Sequence, residues 1–243
     1  MKRQHRTTPP LLAAALFALA TSAQALVIDF EGHSAGTIID DEYTGLSFNG
    51  VNVARGNASN LATIFDTTSP TGGDTDLAGP FANANLGALN PGNVLILHEH
   101  PHECDGTTCS DPDDEGRRPA GYFDIDFGTA VTLNSIDFFD IEGAENGATP
   151  NNAISLFDAF DVEISAGTFY TPHTGGDNTW DRLQLGVAGV KSMRIRLGGS
   201  GAIDNIDYIV PRDQPPEVPV PATPLLLLLG LGLLAGRGRA ARR

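Results

Sequence analysis

The 243-residue chain is short of several things, and each shortage narrows what it can be. Basic residues are scarce where most of the chain lies. Residues 26–217 carry 8 Lys and Arg against 30 Asp and Glu, a formal charge of −22 where the whole chain has −15. A segment this acidic repels nucleic acid and anionic membrane surfaces, so DNA- and RNA-binding are excluded. Long apolar runs are also missing. The two longest, Leu11–Ala20 and Leu225–Ala235, fall well short of the roughly 20 residues a spanning helix needs. No stretch has the 3.6-residue period of an amphipathic helix. No phosphate-cradling Walker loop, dinucleotide fingerprint or EF-hand loop occurs. Gly-x-Ser-x-Gly is absent too, and Gly199-Ser200-Gly201 reads as a tight turn. There are only two cysteines and one tryptophan. What remains is 41% apolar residues with 28 Gly and 16 Pro, enough to build a core and rich in turns.

Both ends read as addressing segments. Lys2, Arg3 and Arg6 precede the short apolar run Leu11–Ala20, and Ala23-Gln24-Ala25 fits the small-x-small cleavage pattern. Residues 1–25 are therefore expected to be a secretory signal cut after Ala25. At the other end, residues 211–224 form a Pro-rich spacer. Residues 225–243 hold the Leu/Gly run and an Arg-rich terminus. Eleven helical residues cover about 16 Å, half a hydrocarbon core. Such a run followed by positive charge is a stop signal that leaves the arginines on the cytoplasmic side. The segment Val218-Pro219-Val220-Pro221, the Leu/Gly run and the Arg cluster together resemble the PEP-CTERM sorting tail of Gram-negative bacteria. Val220 stands where that motif normally has Glu. The resemblance implies processing by an exosortase, transient or retained anchoring in the inner membrane, and association with secreted exopolysaccharide. A simple tail anchor is the alternative.

Between the ends the apolar pattern has period two. Strands are expected at 26–31, 46–53, 93–97, 122–127, 131–141, 160–165, 183–185, 192–197 and 203–210, separated by Gly, Asn, Asp and Pro clusters. The expected fold of residues 26–210 is all-β, a β-sandwich of jelly-roll type with long loops at 54–92 and 98–120. The body also resembles a group of secreted PEP-CTERM proteins through Ile28-Asp29-Phe30-Glu31-Gly32, Pro70–Leu77, Pro112–Gly116 and Gly199–Ile206. Its layout is similar to that of jelly-roll carbohydrate-binding modules, which often hold a structural calcium where the first and last strands meet.

Calcium takes six to eight oxygens, several of them from carboxylates. Glu31 ends the first expected strand and Asp204 begins the last, strand ends that can lie close together in a jelly roll. Asp74 and Asp76 stand at i and i+2 on a Gly-Gly base. These four are the expected ligands. Asp111, Asp113, Asp114 and Glu115 form a second acidic cluster. A solvated acidic surface with no metal explains both sets equally well. Cys104 and Cys109 enclose Asp105-Gly106-Thr107-Thr108, a turn that brings the thiols together, and export favours a disulfide. Thiol metal binding with the nearby histidines is the other reading.

His98-Glu99-His100-Pro101-His102 matches H-E-x-x-H. Zinc proteases carry that motif on a helix, and Pro101 would interrupt one, so the match is read as chance. As an extended strand the three histidines would share a face and could take zinc or copper. Tyr170 and Trp180 are the candidates for stacking on sugar, although a half-buried packing role also fits each. The chain is thus expected to be an exported, non-catalytic protein of the cell surface, periplasmic face or exopolysaccharide matrix. A secreted polysaccharide-active or metal-dependent hydrolase is the alternative.

Overall fold

A computed structural model describes residues 24–143, 147–165 and 167–211. The signal segment up to residue 23, the sorting motif Val218-Pro219-Val220-Pro221 and the terminal apolar run lie outside them. Among the described residues, no helix is long and apolar enough to cross a membrane.

The described chain is all-β and antiparallel. Its strands are β1 (Gln24–Ile28), β2 (Ser47–Asn52), β3 (Ala62–Asp66), β4 (Phe81–Asn83), β5 (Gly87–Leu89), β6 (Asn93–Leu97), β7 (Gly121–Phe139), β8 (Ala153–Phe157), β9 (Phe169–Tyr170), β10 (Trp180–Leu197) and β11 (Ala202–Val210). Two 3-10 turns, Pro101–Glu103 and Pro150–Asn152, are the only helical elements among the described residues. Nine strands form one sheet in the order β3-β6-β11-β7-β10-β8-β9, with β1 on β11 and β2 on β7. β4 and β5 make a separate hairpin.

β7 and β10 organise this sheet. Each is long enough to hold two different sets of neighbours. The first half of β7 pairs with β2, and the second half pairs with β11. β10 runs antiparallel to both halves and carries β8 beside its own last residues. The register shifts between Gln184 and Val187, and again around Val190. Gly128 in β7 and Gly186 and Gly189 in β10 have left-handed backbones at these shifts, where β-bulges bend the two strands together. This is why the sequence reads 122–127 and 131–141 as two strands, and 183–185 and 192–197 as two more.

Burial alternates along β7. Phe123, Ile125 and Phe127 are buried in its first half, Val131 and Leu133 in its second, and Ile136, Phe138 and Phe139 are all enclosed. The main apolar cluster joins residues of both halves with Met193, Ile195, Ile203 and Ile206. At about 25 cal/mol per Å2 of apolar surface, burying each such side chain contributes roughly 1.5–3 kcal/mol. A smaller cluster of Phe65, Leu77, Phe81, Ile96, Phe139 and Trp180 sits under the 67–92 segment. Gly50 shows how closely β2 and β3 approach. A Cβ there would meet the backbone of Leu61 at 2.7 Å.

Several strand expectations fail here. Residues 160–165 do not form a strand. The Asp158 carboxylate accepts the N–H groups of Phe160 and Val162 at 2.8 and 3.0 Å, which curls the chain into a turn. Phe160 is 86% exposed as a result. Strands β3, β4 and β5 lie inside the segment expected to be one long loop, and β8 was not expected either. The cleavage expected after Ala25 would also fall within β1, where Gln24 and Ala25 stand opposite Val210 and Ile209. A chain cut there would keep the pairs from Leu26 to Ile28.

Candidate metal centre

Two acidic loops that are distant in sequence meet beside the end of β7. The Thr71 hydroxyl donates to the Pro112 carbonyl at 2.8 Å, and the Gly72 N–H donates to Asp111 Oδ1 at 2.8 Å. Gly72 is left-handed, and its missing side chain leaves room for Asp113. A Cβ at Gly72 would lie 2.5 Å from Asp113 Cβ. These contacts close a cavity of about 390 Å3 lined by Asp74, Asp76, Asp113, Asp114, Asp140 and Ser200, with Arg118 and Glu142 also on its wall.

Within it, oxygens of Asp74, Asp113 and Asp114 lie within 4.8 Å of one another, close enough to share one cation. Asp74 is 9% exposed, and its Oδ2 has no hydrogen-bond partner. Asp140 is 2% exposed, and its Oδ1 is likewise unpartnered. Asp114 Oδ2 accepts from the Ser200 hydroxyl at 2.8 Å and from the Gly201 N–H. Burial pushes the Asp74 carboxyl up to about 10, aided by a hydrogen bond with Asp76 and then by neighbouring aspartate charges, and burial pushes Asp114 up to about 7 against the bonds from Gly201 and Ser200. Asp113 is raised by burial as well. Asp140 is pushed up to about 8 by burial and then by the charges of Asp76 and Asp114. Among the described residues, no Lys or Arg forms an ion pair with these carboxylates.

That last point separates this cavity from a groove of similar size, about 410 Å3, lined by Phe48, Asp124, Asp126, Met193 and Arg194. There the acids already have partners. Arg194 holds Asp124 through two bonds of 2.6 Å and stacks over Tyr122, while Lys191 pairs with Asp126. Buried carboxylates normally carry such partners or a metal. Those of the acidic cavity have oxygens left over. Carboxylate oxygens are hard donors and suit calcium or magnesium rather than softer cations.

The chain matches no protein-family model and no curated protein sequence.

The four expected ligands do not form one site. Asp74 and Asp76 line the cavity. Glu31 is exposed and accepts the Asn93 N–H at 2.8 Å. The end of β1 does lie near Asp204, because Ile28 is opposite Ile206. Asp204, however, is buried beside Asp137 and bonded by the Asn205 amide at 2.9 Å. Asp137 is itself neutralised by Arg182 at 2.6 and 2.7 Å. Burial, with Asp137 close by, pushes the Asp204 carboxyl up to about 9, and its Oδ1 is unpartnered like Asp74 Oδ2 and Asp140 Oδ1. Neither Glu31 nor Asp204 belongs to a group of described residues able to share an ion.

The second expected cluster divides. Asp113 and Asp114 face the cavity, Asp111 braces Gly72, and Glu115 turns away to Arg55 at 2.6 Å. Asp140 and Ser200 were not anticipated. Asp140 closes an apolar strand pattern just after Phe138 and Phe139, where it passes for one more strand residue. Its left-handed backbone, φ 58°, was the missing signal.

Cys104 and Cys109 form a disulfide, so no described thiol is free for metal. The H-E-x-x-H segment makes no α-helix. His98 bridges to Asp114 at the end of β6, and the 3-10 turn starts at Pro101. Its rings are neighbours, His98–His100 at 6.3 Å and His100–His102 at 5.6 Å between centroids, but they differ in access. His98 is fully buried, while the His102 side chain is 75% exposed. Trp180 is no exposed stacking platform either. It is 5% exposed, stacked on Phe139, and its indole N–H donates to the Gly87 carbonyl at 3.0 Å. Tyr170 is half-buried in β9.

Proposed function

We propose that this chain is an exported protein of the cell surface or exopolysaccharide matrix whose β domain binds calcium in its acidic cavity. The observation that carries the calcium reading is Asp74, a buried carboxylate whose Oδ2 is unpartnered and which has an oxygen within 4.8 Å of oxygens of Asp113 and Asp114. The ion would tie the 71–76 loop to the 111–116 loop, so its role is structural. The bend shared by β7 and β10, and the core that joins their two halves, support reading the domain as a β-sandwich of jelly-roll type. Export is supported by the disulfide, which persists in oxidising compartments. Sorting by an exosortase, passage through the inner membrane and contact with polysaccharide rest on the resemblance of the tail.

The test is thermal unfolding of the full chain, secreted through an oxidising compartment, in calcium, in magnesium and in chelator. Calcium at about a hundredfold over its dissociation constant adds roughly 2.7 kcal/mol. For a domain of this size that raises Tm by about 5–11 °C. Magnesium, which loses water reluctantly and demands octahedral geometry, is expected to give a smaller rise. Equal melting in calcium and chelator would make the cavity a solvated acidic surface and end the calcium reading.

A further inference from the structure

We infer that a second divalent cation binds at the edge of the acidic cavity, held by Asp76 and Asp140, which line it, together with Asp177. This rests on the calcium reading and extends it. Oxygens of these three aspartates lie within 4.8 Å of one another, and they form a group separate from Asp74, Asp113 and Asp114. Each group contains its own buried orphan: Asp74 Oδ2 in the first and Asp140 Oδ1 in the second. One cation in the first group leaves Asp140 Oδ1 unanswered.

The second group is assembled before any ion arrives. The Asn178 side-chain amide lies within donor distance of the carbonyls of Thr75, Asp76 and Ala78 at 3.3, 2.9 and 2.7 Å. The Asn178 N–H also donates to the Asp76 carbonyl at 2.9 Å. These bonds clamp the Asp76 segment against the turn that carries Asp177. The Asp140 N–H donates to the Thr179 carbonyl at 3.0 Å, which fixes the third member to the same turn. Ser200 stands between the groups, its hydroxyl 2.8 Å from Asp114 Oδ2 and 3.2 Å from Asp140 Oδ2. Its single proton serves one of the two, and Asp140 Oδ1 is unpartnered in either case.

The two sites differ in access. Asp74 and Asp114 are buried, whereas Asp177 is exposed, so the second ion exchanges with solvent more freely.

The experiment is calcium titration calorimetry on the full chain after metal is removed with chelator, with bound calcium counted by elemental analysis after equilibrium dialysis. The expected result is two equivalents, the tighter one first. Asp177→Asn is expected to lose one equivalent and to retain the tighter site. Asp177 is exposed, so this variant keeps its fold, and its circular dichroism spectrum checks that. Asp74→Asn with Asp113→Asn is expected to lose the other equivalent. One equivalent in the parent chain, unchanged by Asp177→Asn, overturns the second site and leaves the calcium reading standing. No bound calcium overturns both.

Discussion

Replacing Asp74 with asparagine should have opposite effects with and without calcium. Two ionised carboxylate oxygens 4.8 Å apart, the outer limit for the Asp74 group, repel by about 3.5 kcal/mol at an effective dielectric constant of about 20. The carboxyls relieve part of this by holding protons, which is why burial and neighbouring charge raise them. The relief left for Asp74→Asn is therefore on the order of 1–2 kcal/mol, a rise in Tm of about 2–8 °C in chelator. In saturating calcium the order reverses. The parent chain gains about 5–11 °C from the ion, and the variant loses most of that gain with its ligand. The assay is a pair of melting curves for each protein, one in calcium and one in chelator. If Asp74→Asn melts lower in chelator and keeps the full calcium shift, Asp74 is a structural carboxylate and the cavity is not a metal site.

Three further outcomes follow from the same geometry. Burial holds Asp140 up to about 8 and Asp204 up to about 9, against about 3.9 when unfolded, so between those limits the folded chain binds more protons than the unfolded one. Stability in chelator should fall as pH rises from about 4 to about 9, while calcium affinity rises; melting and titration at several pH values would show the two trends diverging. Gly72→Ala forces a left-handed alanine and drives a Cβ into Asp113; it should cost on the order of 1 kcal/mol or more in urea unfolding and weaken calcium binding at least tenfold, whereas unchanged affinity would remove Asp113 from the ligand set. Replacing both Cys104 and Cys109 by serine opens a very short loop and should cost no more than about 2 kcal/mol in the same unfolding assay; loss of folding altogether would show that the disulfide holds more than its own turn.

Much of the sheet was legible because its strands are short apolar runs bounded by turn residues. Residues 93–97 form β6 as read, and 203–210 differ from β11 by one residue. Errors arose where glycine has two meanings. Gly128, Gly186 and Gly189 look like chain reversals, but in β7 and β10 they are bulges inside continuous strands. At 160–165 the alternation is genuine, yet the Asp158 carboxylate captures the backbone donors that a strand would need. The acidic loops at 72–76 and 111–115 were each visible by composition. Their meeting was not, because it depends on Thr71 reaching Pro112 and Gly72 reaching Asp111 across the fold. Glu31 and Asp204 stand apart from the cavity for a related reason. Adjacent strand ends do not fix where side chains point, and neither residue falls in a group of three described ligands.

The pairing of β1 with β11 gives the domain a polarity. Gln24 lies opposite Val210, so the chain enters and leaves the sheet side by side. Ser200, which lines the acidic cavity, and Gly201, whose N–H donates to Asp114, directly precede Ala202 at the far end of β11. At about 3.3 Å per residue the strand separates these two poles by roughly 26 Å. The acidic cavity therefore lies at the pole of the domain opposite its paired strand ends. If the cavity takes cations as proposed, loading or stripping them stiffens or loosens that pole while the paired strand ends stay locked.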